Sequence, residues 1–241
     1  MNTLLAPKPK KDPLRPFPKL ETHKSTFFLE TSGITTIPIT EGEYMCTINV
    51  ASGVSSIVQF VLSSGVVWSH VKIFSSCRAK SHLTCLFDIA GGKRVTIDMQ
   101  CDINGEAGKA DIRGVFHGTQ DSHHSMHLVM HHISRDTKGN VAIRGVYEQR
   151  SRAVFSGLIK IETEAQKTNS YFRNDVLLLD DAIAESMPTL EIEANDVKAS
   201  HGSTTSRIHT DQLFYMQSRG ISARSARDLI TKGFLGKIAP E

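Results

Sequence analysis

The chain has 241 residues, 39% of them hydrophobic and 22% charged, with a formal net charge of +3. This is the balance of a globular chain long enough to bury a core without disulfide staples. No run approaches the roughly 20 apolar residues of a membrane-spanning helix, and the charge is too mild to argue for a nucleic-acid partner.

Residues 1–24 form a basic, proline-rich leader. Lys8, Lys10, Lys11, Arg15 and Lys19 alternate with Pro7, Pro9, Pro13, Pro16 and Pro18. Proline at this density removes amide donors and blocks helix and ladder alike, so the leader is expected to be extended or disordered. Leu4-Leu5-Ala6 runs straight into Pro7 and gives no secretion signal, so the protein is expected to be cytoplasmic.

From residue 25 to 199 the chain reads as short strands punctuated by Gly, Ser and Asn. Candidates are Tyr44–Val50, Ile57–Leu62, Val66–Phe74, Leu83–Ile89, Val95–Met99, Val141–Tyr147 and Ala153–Ile161. In the last, Ala153, Phe155, Gly157, Ile159 and Ile161 share one face, and Val154, Ser156, Leu158 and Lys160 the other. No helical stripe interrupts this region, so the body is all-β. Ile112-Arg-Gly-Val-Phe116 is echoed at Ile143-Arg-Gly-Val-Tyr147, an offset of 31. Such an echo suits stacked solenoid coils, but a sandwich fits the spacing equally well.

Cys46, Cys77, Cys85 and Cys101 contain no C-x-x-C pair and read first as small buried hydrophobes. Cys77 and Cys101 lie 24 residues apart, about one solenoid coil, and could stack. His117, His123, His124, His127, His131 and His132 crowd into sixteen residues. On a strand, His123, His127 and His131 share one face, while His124 and His132 share the other with Met126, Leu128 and Met130. An exposed histidine row can bind metal, and His127 and His131 are the candidates; no spacing here specifies a closed site, and polar packing is the plainer reading.

Residues 200–241 change character. Ser200–His209 is polar and turn-like. Thr210 is a candidate N-cap for a helix over Asp211–Arg219, stopped by Gly220, and Ser222 for a second over Ala223–Lys232, stopped by Gly233. Ala223, Ala226, Leu229 and Ile230 make one apolar stripe. Leu213, Phe214, Tyr215 and Met216 are consecutive and sweep most of the way round their helix, so they cannot all meet one surface. One face of that helix is therefore expected to cover the end of the β body, meet the second helix or meet a partner. Gly91-Gly92-Lys93-Arg94 lacks the spacing and the Ser/Thr of a phosphate loop, and no G-x-S-x-G turn occurs.

The stretch from Gly145 to Leu235 resembles the SufB/SufD family of iron–sulfur cluster assembly proteins. The matching elements run in order: Phe155-Ser-Gly-Leu-Ile-Lys160, Ala165-Gln-Lys-Thr168, Asn174-Asp-Val-Leu-Leu-Leu179, Pro188-Thr-Leu-Glu-Ile192, Asn195-Asp-Val197, Ser200-His-Gly202, Asp211-Gln-Leu-Phe-Tyr215, Ser218-Arg-Gly-Ile221 and Gly233-Phe234. The resemblance implies a right-handed parallel β-helix with short C-terminal α-helices. It further implies a non-catalytic scaffold subunit partnered by a SufC-type ABC ATPase and by a SufB-like or identical subunit. No nucleic acid, membrane or stably bound cofactor is expected, only a transient iron–sulfur cluster or iron at the subunit interface.

The family histidine falls on His201, the leading cluster or iron candidate, with Cys77 and Cys101 behind it. The C-terminal helices imply an ATPase contact through Leu213, Phe214, Tyr215, Met216, Arg219, Leu229, Ile230 and Phe234. Met216 stands where SufB-type members carry cysteine, and a thioether cannot replace a thiolate as sulfur acceptor. Ala199 replaces the cysteine that many SufD-type members carry two residues before the histidine. The chain thus resembles a shortened SufD-type protein at His201, while Thr204-Thr-Ser-Arg-Ile208 and Asp211-Gln-Leu-Phe-Tyr215 lean toward SufB. The competing readings are a metal-binding β protein using the histidine row and a β-helix carbohydrate-active enzyme.

Overall fold

The computed structural model describes residues 23–236. Fourteen strands stack into two parallel sheets. Sheet A holds β1 (His23–Leu29), β3 (Gly42–Val50), β5 (Trp68–Cys77), β7 (Arg94–Ile103), β9 (His123–His132), β11 (Arg152–Ile161) and β13 (Ile183–Ile192). Sheet B holds β2 (Gly33–Ile39), β4 (Ser55–Leu62), β6 (His82–Ala90), β8 (Lys109–Gly118), β10 (Lys138–Tyr147), β12 (Asn169–Leu178) and β14 (Lys198–Arg207). Consecutive strands alternate between the sheets, so each coil supplies one strand to each. This is a parallel β-solenoid, and the sandwich alternative falls. The leader lies outside the described residues, apart from His23 and Lys24, which open β1.

Period-two alternation is what closes the core. Along β7, Val95, Ile97, Met99, Cys101 and Ile103 are buried while the residues between them are half-buried. Parallel register stacks like on like: Val71, Ile97, Met126 and Phe155 form one inward column across four coils. Where a ring needs more room, the neighbouring coil supplies glycine. Tyr147 pairs with Gly118, and a Cβ on Gly118 would lie 2.5 Å from its ring. Gly157 makes the same concession to Phe172.

The coil lengthens along the axis. His23 pairs with Tyr44 on the next coil of sheet A, whereas Arg152 pairs with Ile183, a repeat of 21 residues against 31. The corners are stacked too. Lys80, Ala107, Asp136 and Lys167 all have φ between 55° and 62°, and each amide donates to a carbonyl on the following coil, as Lys80 N does to Glu106 O at 2.9 Å. Gly105 sits in this column, and a Cβ there would lie 2.0 Å from the backbone nitrogen of Ala79. Backbone cannot retreat as a side chain can, so Gly105→Ala is expected to cost about 2–3 kcal/mol, read as a lower urea midpoint.

Four sequence expectations need correction. The pentapeptide echo is out of register by two residues: Ile112 pairs with Val141, and Ile143 with Gly114. A two-residue slip keeps every side chain on its face, which is why the echo survives. Ser200–Arg207, expected as a turn, lies in β14. At the first helix, α1 (Thr210–Ser218), the N-cap is His209 without a side-chain bond, not Thr210. The second helix, α2 (Ala223–Leu235), is capped by Ser222, whose Oγ accepts from Ser225 N at 3.1 Å, and it runs through Gly233 to a C-cap at Gly236.

Candidate functional site

The two helices sit beside the solenoid and leave its last coil uncovered. α2 packs against β10. Ile230, Phe234 and Leu235 join Ile208 over Val146 and Leu177, which project outward from sheet B, and Leu179, just past the end of β12. Spacing of four residues brings Ala226, Ile230 and Phe234 onto one line; Ala226 is fully buried, whereas Leu229, expected in the stripe, is 53% exposed. Two polar pins fix the helix. Arg144 Nη1 donates to the Phe234 carbonyl at 3.0 Å with its guanidinium 5.8 Å from the Phe234 ring. Arg227 Nη2 lies 2.8 Å from Asp180 Oδ1, and this bond holds the Asp180 carboxyl below the usual carboxylate range.

α1 is held differently. None of its residues is buried, and it packs against α2. Leu213 and Met216 are half-buried, while Phe214 is 71% and Tyr215 61% exposed. Arg219 lies 5.4 Å from the Tyr215 ring centre. The eight residues expected at an ATPase contact thus divide: Ile230 and Phe234 face the solenoid as anchors, Leu213 and Met216 are half-buried, and Phe214, Tyr215, Arg219 and Leu229 are exposed.

His201 lies on β14, the outer strand of sheet B. It pairs with Phe172, a buried inward position, so its register is inward, yet it is exposed because neither helix covers this coil. The same holds along both terminal strands. Ser186, Pro188 and Leu190 on β13, and Ser203 and Thr205 on β14, continue the inward columns of buried residues but are half-buried or exposed. Below them Asn174 Nδ2 donates to Ser186 Oγ at 3.0 Å, bridging the two sheets. Pro188, which has no amide proton, is compatible with an outer strand.

The cysteines do not reach this end. All four are buried in the early and middle coils. Cys77 pairs with Ile103, and Cys101 with Ser75, so the two are diagonal neighbours rather than a stack. A hydrogen bond with Cys101, together with burial, pushes the Cys77 thiol well up; burial does the same to Cys85 and raises Cys46 to about 11. Protonated and enclosed, these three are poor nucleophiles.

The histidine row resolves into contacts between coils. His127 Nδ1 lies 2.6 Å from Ser156 Oγ, in a sheet A groove of about 740 Å³ walled by Phe74, Leu158 and Met187. His131 stands between Asp102, at 3.2 Å, and Glu162, at 2.8 Å. His70–Asp98, His82–Asp111 and His117–Glu148 repeat the motif at 2.6–2.8 Å. Among the described residues no group of three or more His, Cys, Asp or Glu is placed to hold a metal ion. His124 and His132 point inward. Gly92 O accepts from His124 Nε2 at 3.3 Å, and Thr137 and Ser170 hydroxyls flank His132 at 2.8 and 2.9 Å. Sequence reasoning missed the Asp180–Arg227 and Arg144–Phe234 pins, because residues 47 and 90 positions apart meet only after the coils stack.

A parallel β-solenoid followed by two short C-terminal helices matches what the motifs imply. Residues 47–234 match the family model for the SUF system FeS cluster assembly, SufBD core domain. The chain belongs to the SufBD family. An iron-sulfur cluster assembly SufBD family protein of Mycobacterium leprae is 30% identical over 209 residues, covering 78% of this chain and 53% of that protein. A SufBD family protein of Mycobacterium tuberculosis is 32% identical over 166 residues, 65% of this chain and 41% of its own length. The iron-sulfur cluster assembly protein SufD of Escherichia coli is 40% identical over 94 residues, 39% of this chain and 22% of SufD. The SufBD chain described here thus spans about half the length of these relatives, or less. No helix among its described residues is long and apolar enough to cross a membrane.

Proposed function

We propose that this SufBD protein is a non-catalytic, cytoplasmic scaffold subunit for iron–sulfur cluster assembly, worked by a separate SufC-type ATPase. The observation that carries the reading is the outward pair Phe214 and Tyr215. Two large exposed aromatics on a helix that packs against the pinned α2 form the kind of anchor a protein partner buries. Ile230, Phe234, Arg144 and the Arg227–Asp180 pair hold the platform, and Phe214, Tyr215, Arg219 and Leu229 are the contacts.

The uncovered last coil supports the second half of the reading. A SufB-like or identical subunit would cover β13 and β14, and His201 would then face into the joint. An iron ion or nascent cluster is the cargo there, with the remaining ligands coming from the partner. Imidazole suits iron, and a closed joint keeps water and oxygen from the sulfide.

The test is co-purification with a SufC-type ATPase, using the wild type, a Phe214→Ser/Tyr215→Ser variant and His201→Ala. The expected result is retention by the wild type and by His201→Ala, with at least tenfold weaker capture by the double variant (about 1.4 kcal/mol per factor of ten). Equal capture by all three overturns the helix assignment. His201→Ala should lower only the iron retained after anaerobic reconstitution of the complex.

A further inference from the structure

The outer face of sheet B carries a second arrangement, at the first positions of β8, β10, β12 and β14, the last of which borders the open end. Lys109 pairs in register with Lys138, and Asn169 separates Lys138 from Lys198, with His82 continuing the row on the other side. Successive coils lie about 4.8 Å apart, so the first two ammonium groups stand on neighbouring rungs. Like charges directly opposite one another destabilise a sheet. Elsewhere cations meet anions: Lys72 with Glu43, Lys160 with Glu162, Arg150 with Asp121, Arg173 with Asp175. Among the described residues none of Lys109, Lys138 and Lys198 forms an ion pair. Lys109 and Lys138 line a groove of about 260 Å³ that also offers Asn140, Asn169 and Tyr171. Its one carboxylate, Asp111, is taken by His82 at 2.6 Å and held below the usual range by that bond.

We propose that the outer face of sheet B along Lys109, Lys138 and Lys198 is a docking track for a carboxylate-rich segment of a partner protein. Charge complementarity selects the occupant. Carboxylates three or four residues apart on a helix lie about 5–6 Å from one another, close to the step between coils, and the amide and hydroxyl donors between the lysines suit carboxylate oxygens. Nucleic acid is a poorer fit: the whole chain carries only +3, and Tyr171 is the single aromatic lining the groove. A fixed Asp111 in the groove also disfavours the denser charge of phosphate esters. The inference rests on sheet B alone and does not depend on the ATPase reading.

The test uses the full chain and poly-L-glutamate as the probe, by fluorescence anisotropy at low and at high salt. Wild type is expected to bind at low salt and to weaken as salt screens the contact. Lys109→Glu/Lys138→Glu/Lys198→Glu should bind at least tenfold more weakly. A control with the same charge change on the sheet A side, Lys24→Glu/Lys93→Glu/Arg152→Glu, should keep more than half the wild-type affinity. A second measurement needs no ligand: Lys138→Glu alone replaces a like-charge contact with an attractive one and should raise the melting temperature by about 1–3 °C. The track is overturned if the triple variant binds as well as wild type, if the control loses as much, or if Lys138→Glu fails to stabilise. Tighter binding of oligothymidylate or of phosphatidylserine vesicles than of polyglutamate overturns the assignment to an acidic polypeptide.

Discussion

Acidification from pH 7 to pH 4.5 is expected to remove several kcal/mol of stability, most of it through two buried histidines. Burial holds both His124 and His132 down to a pKa of about 4. In the unfolded chain each titrates near its ordinary value of 6.5. Between those values the unfolded state carries protons that the folded state refuses, so stability falls as pH falls through that window. Above pH 6.5 both states are neutral and the effect vanishes; below about 4 both are charged and the loss stops growing. Each histidine contributes about 3 kcal/mol at the lower limit. Asp98 and Asp111 have carboxyl groups held below the usual range, so the stability they lend is lost only at still lower pH, adding to the fall. Urea midpoints measured from pH 7.5 to 4.5 should drop steadily in wild type and flatten in a His124→Gln/His132→Asn variant. Parallel curves would remove these two residues from the account.

Phe155→Ala is expected to cost about 3–5 kcal/mol, a large share of the 5–15 kcal/mol typical of a domain. The ring is almost wholly buried and lies edge-on to Phe116 at 5.2 Å and to Tyr147 at 6.3 Å. It therefore ties sheet A to two strands of sheet B. Gly145 and Gly118 have already been emptied to seat Tyr147, so the neighbours have little freedom to close the hole. Phe155→Leu should recover more than half the loss. A loss under about 1 kcal/mol for the alanine variant would mean that the coils slide to fill the gap, against the rigidity expected of a close-packed core.

Much of this was legible in advance, and the limits follow from how a solenoid is built. Alternation placed the inward and outward faces of β11 and of the histidine strand, and Ser222 marked the start of α2. Strand register was not legible, since it depends on corner length, and the corners turn at Ala107, Asp136 and Lys167 rather than at glycine. The last strand reads as a turn because the inward positions of β14 are Ala199, His201, Ser203 and Thr205, and a polar inward face erases the hydrophobic alternation. Gly233 reads as a helix stop, yet a Cβ there would meet nothing within 4 Å, and the helix continues because Phe234 and Leu235 have an apolar seat to reach. At the candidate site, the motif located His201 on the sequence; only the stacked coils show that it occupies a core register left open.

The lengthening coil bears on a hazard common to stacked-strand proteins. Solenoids whose end coils match in outline join head to tail and grow into fibres, because each end offers strand edges to the other. Here the first coil has a repeat of 21 residues and the last sheet A pairing one of 31, so the two cross-sections differ in perimeter. A second molecule laid end on end could match one sheet only by misaligning the other. Among the described residues the taper therefore gives the first and last coils different outlines, so that one is a poor template for the other.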